Sequence, residues 1–148
     1  MNSDFFSSNR SRFCDGLKPN SFVVLTAFTR MQQTNDGAAP FVQESNFWYL
    51  TGVGEPDWLL IINVDSGEEW LVAPQLSFVH KAFDGDFLPE QAMAVSGVKT
   101  VVDRKHGREI FKKMLVTKRC AYVVKPANVR AYGFVPNPAQ SRLLGKLK

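Results

Sequence analysis

Short apolar runs separated by polar, breaker-rich segments set the pattern of this chain and predict a buried sheet. Residues 22–26 form a continuous run of apolar and β-branched residues, which is typical of a strand covered on both faces. Residues 58–64 form the most apolar run, and Asp65-Ser66-Gly67 after it predicts a hairpin turn. Further strands are predicted at residues 69–73, 100–102 and 120–124.

Helical periodicity is found before and between these strands. The first helix is predicted to start at a cap formed by Ser3 or Asp4 and to reach about Gly16. Its apolar stripe is Phe6, Phe13 and Leu17, and its polar side is Asn9, Arg10 and Arg12. Residues 30–39 are polar and contain an Asp-Gly turn, which predicts an exposed loop.

Three more helices are predicted in the middle of the chain and one at its end. The first covers residues 74–85, with Leu76, Val79 and Phe83 on one face and Gly85 as its stop, and the second covers residues 89–97. The third is capped by Asp103, and its core stripe is Ile110, Phe111, Met114 and Leu115. The helix at the end of the chain is capped by Asn137, and its apolar stripe is Leu143, Leu144 and Leu147. Strands that alternate with helices of about ten residues indicate an α/β fold, and the hairpin makes the sheet mixed.

The segment at residues 40–57, here called the signature segment, contains four aromatic residues and four chain breakers, two Pro and two Gly. We expect Ser45 to cap a short helix that ends at Thr51-Gly52, with Gly52 at a positive φ. Glu55-Pro56-Asp57 predicts a turn. Because three adjacent rings cannot all point inward from one short helix, at least one must cover a neighbouring element or a partner.

The signature segment closely resembles the N-terminal domain of the aminopeptidase P and prolidase family, the Xaa-Pro metallopeptidases related to creatinase. The residues that carry the resemblance are Phe41, Gln43, Ser45, Asn46, Phe47, Trp48, Tyr49, Leu50, Thr51, Gly52, Glu55, Pro56 and Asp57. The resemblance implies a three-layer creatinase-type N-terminal domain, with a mixed sheet of about six strands flanked by helices in a ribonuclease H-like layout. It places this domain at residues 1–136, and makes residues 137–148 the start of a helix that links to a catalytic domain absent here.

The resemblance also implies partners and cofactors that lie outside the chain. Members of the family bind two divalent metals, usually manganese, in the second domain, so we expect no cofactor in this chain. The expected partners are that catalytic domain, neighbouring subunits of a homo-oligomer, and peptide substrates with Pro at the second position. In relatives, a Trp-x-Gly-x-Arg loop can approach a neighbouring subunit's active site; here Phe83, Asp84 and Gly85 align with its start, but the Trp and Arg are absent.

The sequence offers little support for a catalytic or metal-binding site within this chain. His106 lies among Arg and Lys residues that would repel a metal, and His80 has only Asp84 one turn away. Asp84, Asp86 and Glu90 fall in a predicted helix end and loop rather than on a central strand, so they are better interpreted as solvated charge. We therefore predict no catalytic and no metal-binding residues, and an independent metal-dependent hydrolase is the least favoured function.

Charge is unevenly distributed, although the net charge is only +4. Residues 1–98 contain 5 Lys and Arg against 12 Asp and Glu, whereas residues 99–148 contain 13 against 2. This basic part leaves open the alternative of a stand-alone binding module for an acidic partner or nucleic acid. Aromatic residues presented from a strand, or a recognition helix that reads bases, are missing, so nucleic acid is disfavoured.

Length and composition limit the remaining choices. The 148 residues, 45% of them hydrophobic, suit one globular domain with a real core. Apolar runs fall short of the roughly 20 residues of a membrane helix, and the N-terminus lacks a secretory pattern, so we expect a cytoplasmic protein. Cys14 and Cys120 fit reduced, buried thiols better than a disulfide.

Overall fold

The computed structural model describes residues 2–77, 85, 87–125, 133 and 137–147. The helices of these residues are α1 (Ser3–Asp15), α2 (Ser45–Thr51), α3 (Pro89–Ser96), α4 (Arg104–Thr117) and α5 (Pro138–Leu147). The strands are β1 (Ser21–Thr26), β2 (Leu59–Asn63), β3 (Glu69–Val72), β4 (Val101–Val102) and β5 (Cys120–Tyr122). The predicted order of strands and helices is confirmed in the described residues, except that the described start of the helix predicted at residues 74–85 is not helical.

The five strands form one mixed sheet in the order β4-β3-β2-β1-β5. β2 pairs antiparallel with β3, as the hairpin signal predicted, and also antiparallel with β1, while β1–β5 and β3–β4 are parallel pairs. β1, β3, β4 and β5 therefore run in one direction, and their carboxyl ends lie at one edge of the sheet. About six strands were expected; the described residues provide five.

Residues on alternating sides of the strands enter two separate cores, which makes the fold three-layered as predicted. On one face, Val23, Leu25, Leu60 and Ile62 pack with residues from α2 and α3. On the other face, Phe22, Val24 and Ile61 pack with α4 and α5. This alternation explains why β1 is a continuous apolar run, since both of its faces are buried.

The stripe of α4 fits the second core only in part. Met114 is buried and Ile110 and Phe111 are partly buried there, but Leu115 is 40% exposed. Gly107 explains how closely this helix approaches the sheet, because a Cβ at this position would lie 2.4 Å from Cγ1 of Val72 in β3. Asp103 caps α4 as predicted, and its carboxylate accepts a hydrogen bond from the His106 amide at 2.8 Å.

Several predictions about α1 were wrong. Asn2 is the N-cap instead of Ser3 or Asp4, and its side chain accepts a hydrogen bond from the Phe5 amide. The predicted polar side is also wrong in part, because Asn9 and Arg10 are buried, while Phe13 of the predicted stripe is 37% exposed. The physical reason is that the side of α1 that meets α2 and α3 faces main-chain carbonyl groups, which polar side chains satisfy.

Other predictions can be followed only part of the way. The helix predicted at residues 74–85 falls mostly outside the described residues, and the described stretch 74–77 is not helical. Cys14 and Cys120 are free thiols, but Cys120 is exposed, so its predicted burial was wrong. None of the helices in the described ranges combines the length and apolar character that a bilayer span requires.

Candidate functional site

The signature segment forms α2 and the connection from α2 to β2. Glu44, and not the predicted Ser45, is the N-cap of α2. The Glu44 carboxylate is buried, and it accepts hydrogen bonds from the Phe47 amide at 2.6 Å and from the Asn46 side chain at 2.9 Å. A carboxylate at a helix N-terminus also interacts favourably with the helix dipole. Ser45 is exposed in the first turn, where its hydroxyl is not required for the cap.

Gln43 fixes the path of the chain on both sides of α2. Its side-chain oxygen accepts hydrogen bonds from the Phe28 amide, just after β1, and from the Glu44 amide. Its side-chain nitrogen donates to the carbonyl oxygens of Val53 and Glu55, at 3.2 and 2.8 Å. One amide side chain therefore holds together three stretches of the long connection between β1 and β2. A Gln suits this position because a carboxylate of similar size could not donate to the two carbonyl groups.

The end of α2 depends on close packing around a glycine. Gly52 has a φ of +69°, as predicted, and a Cβ there would lie 2.4 Å from the Phe6 ring. The Thr51 hydroxyl donates to the Phe47 carbonyl at 2.7 Å and accepts from the Val53 amide. α3 ends in the same way, since the Ser96 hydroxyl donates to the Ala92 carbonyl and accepts from the Val98 amide.

The three adjacent rings of α2 point in different directions, as the prediction required. Phe47 is fully buried in the first core. Trp48 lies edge-to-face against Phe6 with ring centres 5.8 Å apart, and Tyr49 against Phe5 at 6.0 Å. Trp48 and Tyr49 remain 38% and 45% exposed. They therefore cover α1 and also leave an aromatic surface.

Sequence reasoning missed a buried arginine that holds the signature helix in place. Arg10 is fully buried, and one of its terminal nitrogens donates to the carbonyl oxygens of Leu50 and Ser96, both at 2.8 Å. Its Nε forms an ion pair with Glu69 of β3 at 2.8 Å. These carbonyl groups lie at the C-terminal ends of α2 and α3, where a cation is electrostatically favoured. The similar triplets Thr51-Gly52-Val53 and Ser96-Gly97-Val98 are the sequence feature that could have indicated two helix ends of the same kind, but they do not point to Arg10 as the residue that binds both.

The turn at the end of the signature segment lies beside the N-terminus of α4. Asp57 has a φ of +65°, and its amide donates to the Phe28 carbonyl. A guanidinium nitrogen of Arg104 donates to the Asp57 carbonyl. The turn predicted at Glu55-Pro56-Asp57 is therefore present, and Arg104 connects it to the second layer of helices.

A cleft of about 1260 Å³ opens next to this turn, at the carboxyl edge of the sheet. Its walls come from the segments that follow β1, β3 and β4 and from the turn that precedes β2. Pro56, Trp58, Phe87 and Leu88 give it apolar surface. Among the described residues, five cationic side chains and three anionic ones also line it, namely Arg30, Arg104, Lys105, Arg108 and Lys146, and Glu55, Asp57 and Asp103. In α/β sheets ligands bind outside the carboxyl ends of strands, so this cleft is the candidate binding site.

Burial determines the electrostatics of Arg104 in this cleft. Burial lowers the pKa of Arg104 below its usual value, the Asp57 carboxylate opposes that shift, and the nearby cations Arg142 and Arg108 add to it. Asp103 differs, because the hydrogen bond from the His106 backbone lowers the pKa of its carboxyl group. The cleft thus combines a partly desolvated cation with a carboxylate already engaged in helix capping.

Groups that could perform catalysis are not brought together in the part of the chain that the structure describes. His106 lies 3.0 Å from Asp103 on the surface, within one turn of helix. Burial raises the pKa of the Cys14 thiol, with Glu69 and Asp15 adding to the shift. The described residues contain no group of three or more His, Cys, Asp or Glu side chains placed to hold a metal ion.

The predicted loop at Phe83, Asp84 and Gly85 can be located only at its last residue. Phe83 and Asp84, together with His80 and Asp86, lie outside the described residues. Gly85 is exposed with a φ of +80°, and it lines the cleft. The end of this loop therefore meets the signature turn and Arg104 at one site.

Comparison with known proteins agrees with this geometry. A family model described as the aminopeptidase P N-terminal domain matches residues 6–123. The chain is 30% identical over 131 residues to the Xaa-Pro dipeptidase of Homo sapiens, which covers 84% of this chain and 23% of that protein. It is 39% identical over 57 residues to the Xaa-Pro aminopeptidase of Haemophilus influenzae, covering 38% of this chain and 13% of that one.

Solved structures share the fold over almost the whole chain. A Bacillus anthracis structure assigned to aminopeptidase P superposes with a TM-score of 0.84 at 24% identity, covering 98% of this chain and 35% of that one. The Pseudomonas aeruginosa aminopeptidase PepP superposes with a TM-score of 0.79 at 19% identity, covering 99% and 32%. The chain thus spans about a third of the length of these structures and matches less of the curated relatives.

Proposed function

The chain belongs to the aminopeptidase P N-terminal domain family, and on that premise we propose that it is the non-catalytic N-terminal domain of a metal-dependent Xaa-Pro peptidase. The proposal assigns peptide-bond hydrolysis to a second domain that follows this one. The role of the N-terminal domain is to narrow the access to the active site of the second domain. The family match over residues 6–123, combined with a span of about a third of the matched structures, is the observation that carries the proposal.

The arrangement of the chain supports a role in packing and access rather than in bond cleavage. The side chains of Gln43 and Glu44 in the signature segment are occupied internally, since both bind main-chain groups of this chain. Among the described residues, the aromatic surface of Trp48 and Tyr49 and the cleft beside Arg104 are two surfaces open to contact with other polypeptide. In the proposal, the divalent metal ions belong to the second domain, and neighbouring subunits pack against the exposed faces.

The experiment that tests this proposal compares two proteins from one gene. One is the 148-residue chain, and the other is the same chain followed by the proposed second domain. With added manganese, the longer protein is expected to hydrolyse Ala-Pro-Ala and to have a much lower kcat/KM for a folded protein with the same N-terminal sequence. A longer protein that lacks peptidase activity, or that cleaves both substrates equally well, would contradict the proposal.

A further inference from the structure

Among the described residues, cationic side chains outnumber carboxylates in the cleft at the carboxyl edge of the sheet. Within the described residues, Arg104, Lys105, Arg108 and Lys146 take part in none of the ion pairs that the structure forms. Arg104 instead donates to the Asp57 carbonyl, and Nε of Arg108 lies 3.4 Å from the Arg104 carbonyl. Of the anionic side chains in the cleft, Asp103 already accepts from His106. The remaining cations are therefore available to a ligand.

The position of these cations favours a small anionic ligand. They come from the first turns of α4 and from the last turn of α5, which are distant in sequence and meet at one opening. A partly buried cation that is not paired with an anion is unfavourable, and a bound carboxylate would relieve that cost. A guanidinium group binds a carboxylate through two parallel hydrogen bonds, which makes Arg104 and Arg108 suitable partners.

The apolar part of the cleft indicates what the anion is attached to. Pro56, Trp58, Phe87 and Leu88 lie in the same cavity as the cations. Trp58 is buried and packs edge-to-face against Phe87 with ring centres 5.8 Å apart, so this wall is well ordered by packing. A ligand with an apolar body and one terminal carboxylate matches both parts of the cleft, whereas a polyanionic chain would leave the apolar wall unused.

We propose that this cleft binds the C-terminal carboxylate of short peptides, through Arg104, Lys105 and Arg108. The inference rests on the proposed function, because it assigns to this domain the recognition of the far end of a peptide substrate. The domain would then favour short peptides by charge as well as by limited space. A peptide whose C-terminus lies farther away, or is amidated, would lose this interaction.

The test is a calorimetric titration of the 148-residue chain with Ala-Pro-Ala, with the same peptide amidated at its C-terminus as the comparison ligand. The free acid is expected to bind saturably with a Kd of about 1 mM. The amide is expected to bind at least ~5-fold more weakly, since a charge-assisted interaction is lost. Equal binding of acid and amide, or no saturable binding of the acid up to about ten times that concentration, would overturn the proposal.

Two double variants test whether the preference for the free acid over the amide arises in the cleft. Lys105→Gln with Arg108→Gln is expected to reduce the affinity for the acid to that of the amide. Lys112→Gln with Lys113→Gln removes the same charge from the exposed face of the same helix, outside the cleft, and is expected to leave binding unchanged. Equal loss in both double variants would show a diffuse electrostatic effect and would overturn the assignment.

Two further ligands separate this inference from the alternatives. Inorganic phosphate and a single-stranded oligonucleotide are titrated in the same way. If either binds more tightly than Ala-Pro-Ala, with an affinity that falls steeply with salt, the cleft is a general anion-binding surface and the peptide site is wrong. The proposed function fails separately, through the peptidase assay of the longer protein. If that protein cleaves Ala-Pro-Ala while this chain does not distinguish acid from amide, the function stands and the carboxylate site is wrong.

Discussion

Replacing Gly107 by Ala should destabilise the fold even though alanine is the better helix former. Gly107 lies in the first half of α4 and faces β3. In an exposed helix interior the change would add about 1 kcal/mol of stability. Here the new Cβ would lie 2.4 and 2.7 Å from the two methyl carbons of Val72. Cβ atoms in proteins essentially never make contacts that short, so the Val72 side chain or the backbone of α4 must move.

The magnitude follows from how little Val72 can move. Val72 is 1% exposed, is β-branched and therefore stiff at χ1, and lies in a strand paired on both sides. Overpacking costs roughly 1–3 kcal/mol, and contacts as short as 2.4 Å place this site at about 2–3 kcal/mol, from which the helix-propensity gain of about 1 kcal/mol is subtracted. We expect a net loss of about 1–2 kcal/mol, and therefore a Tm lower by about 2–8 °C in a chain of this size.

Urea unfolding followed by circular dichroism measures this loss, and Gly145→Ala is the matched control. Gly145 lies in α5, and a Cβ there would meet nothing within 4 Å, so this variant should be as stable as the wild type or slightly more stable. In Gly107→Ala combined with Val72→Ala, the two losses should be less than additive by about 1 kcal/mol. A Gly107→Ala variant as stable as the wild type would refute the close approach of α4 to β3.

The other predictions concern the cap of α2, the buried arginine and acid stability. Glu44→Ala should lower the free energy of unfolding by about 1–2 kcal/mol in urea titrations, whereas Ser45→Ala should change it by less than about 0.5 kcal/mol; equal effects would reject Glu44 as the cap. Arg10→Met should cost about 3–5 kcal/mol, because it leaves the Glu69 carboxylate without its cation and two helix-end carbonyls without a donor; a loss below about 1 kcal/mol would show that the arginine is dispensable. The pKa of the Asp103 carboxyl group is lower in the fold than its ordinary value of 3.8, so the ionised group stabilises the fold above pH 3.8, and this stabilisation is lost as the pH falls through the lower folded pKa. The difference in the free energy of unfolding between the wild type and Asp103→Asn should therefore shrink below pH 3.8. A difference that stays constant from about pH 6 to about pH 2 would contradict this.

The parts of the fold that depend on local sequence could be predicted. β1 and β2 are apolar runs, and every described helix after α1 begins close to the residue that the sequence indicated. The positive φ of Gly52 and the divergence of Phe47, Trp48 and Tyr49 also follow from local geometry. These features need no knowledge of which segments meet in space.

What could not be predicted depends on contacts between distant segments. Arg10 looked like a surface residue because its partners, at Leu50, Glu69 and Ser96, are 40 to 86 positions away. The choice of Glu44 over Ser45 as the cap depends on where the helix starts, since both side chains can accept from a main-chain amide. The cleft was missed for the same reason, because its cations belong to separate helices that only the fold brings together.

The central claim, that the chemistry of this enzyme family is performed outside the present chain, is tested most directly by assaying the purified 148-residue chain alone. The chain is incubated with Ala-Pro-Ala and excess manganese, and release of the N-terminal alanine is followed by mass spectrometry. The account predicts a rate no higher than that of peptide and metal without protein. Saturable release of alanine that a chelator abolishes would contradict it.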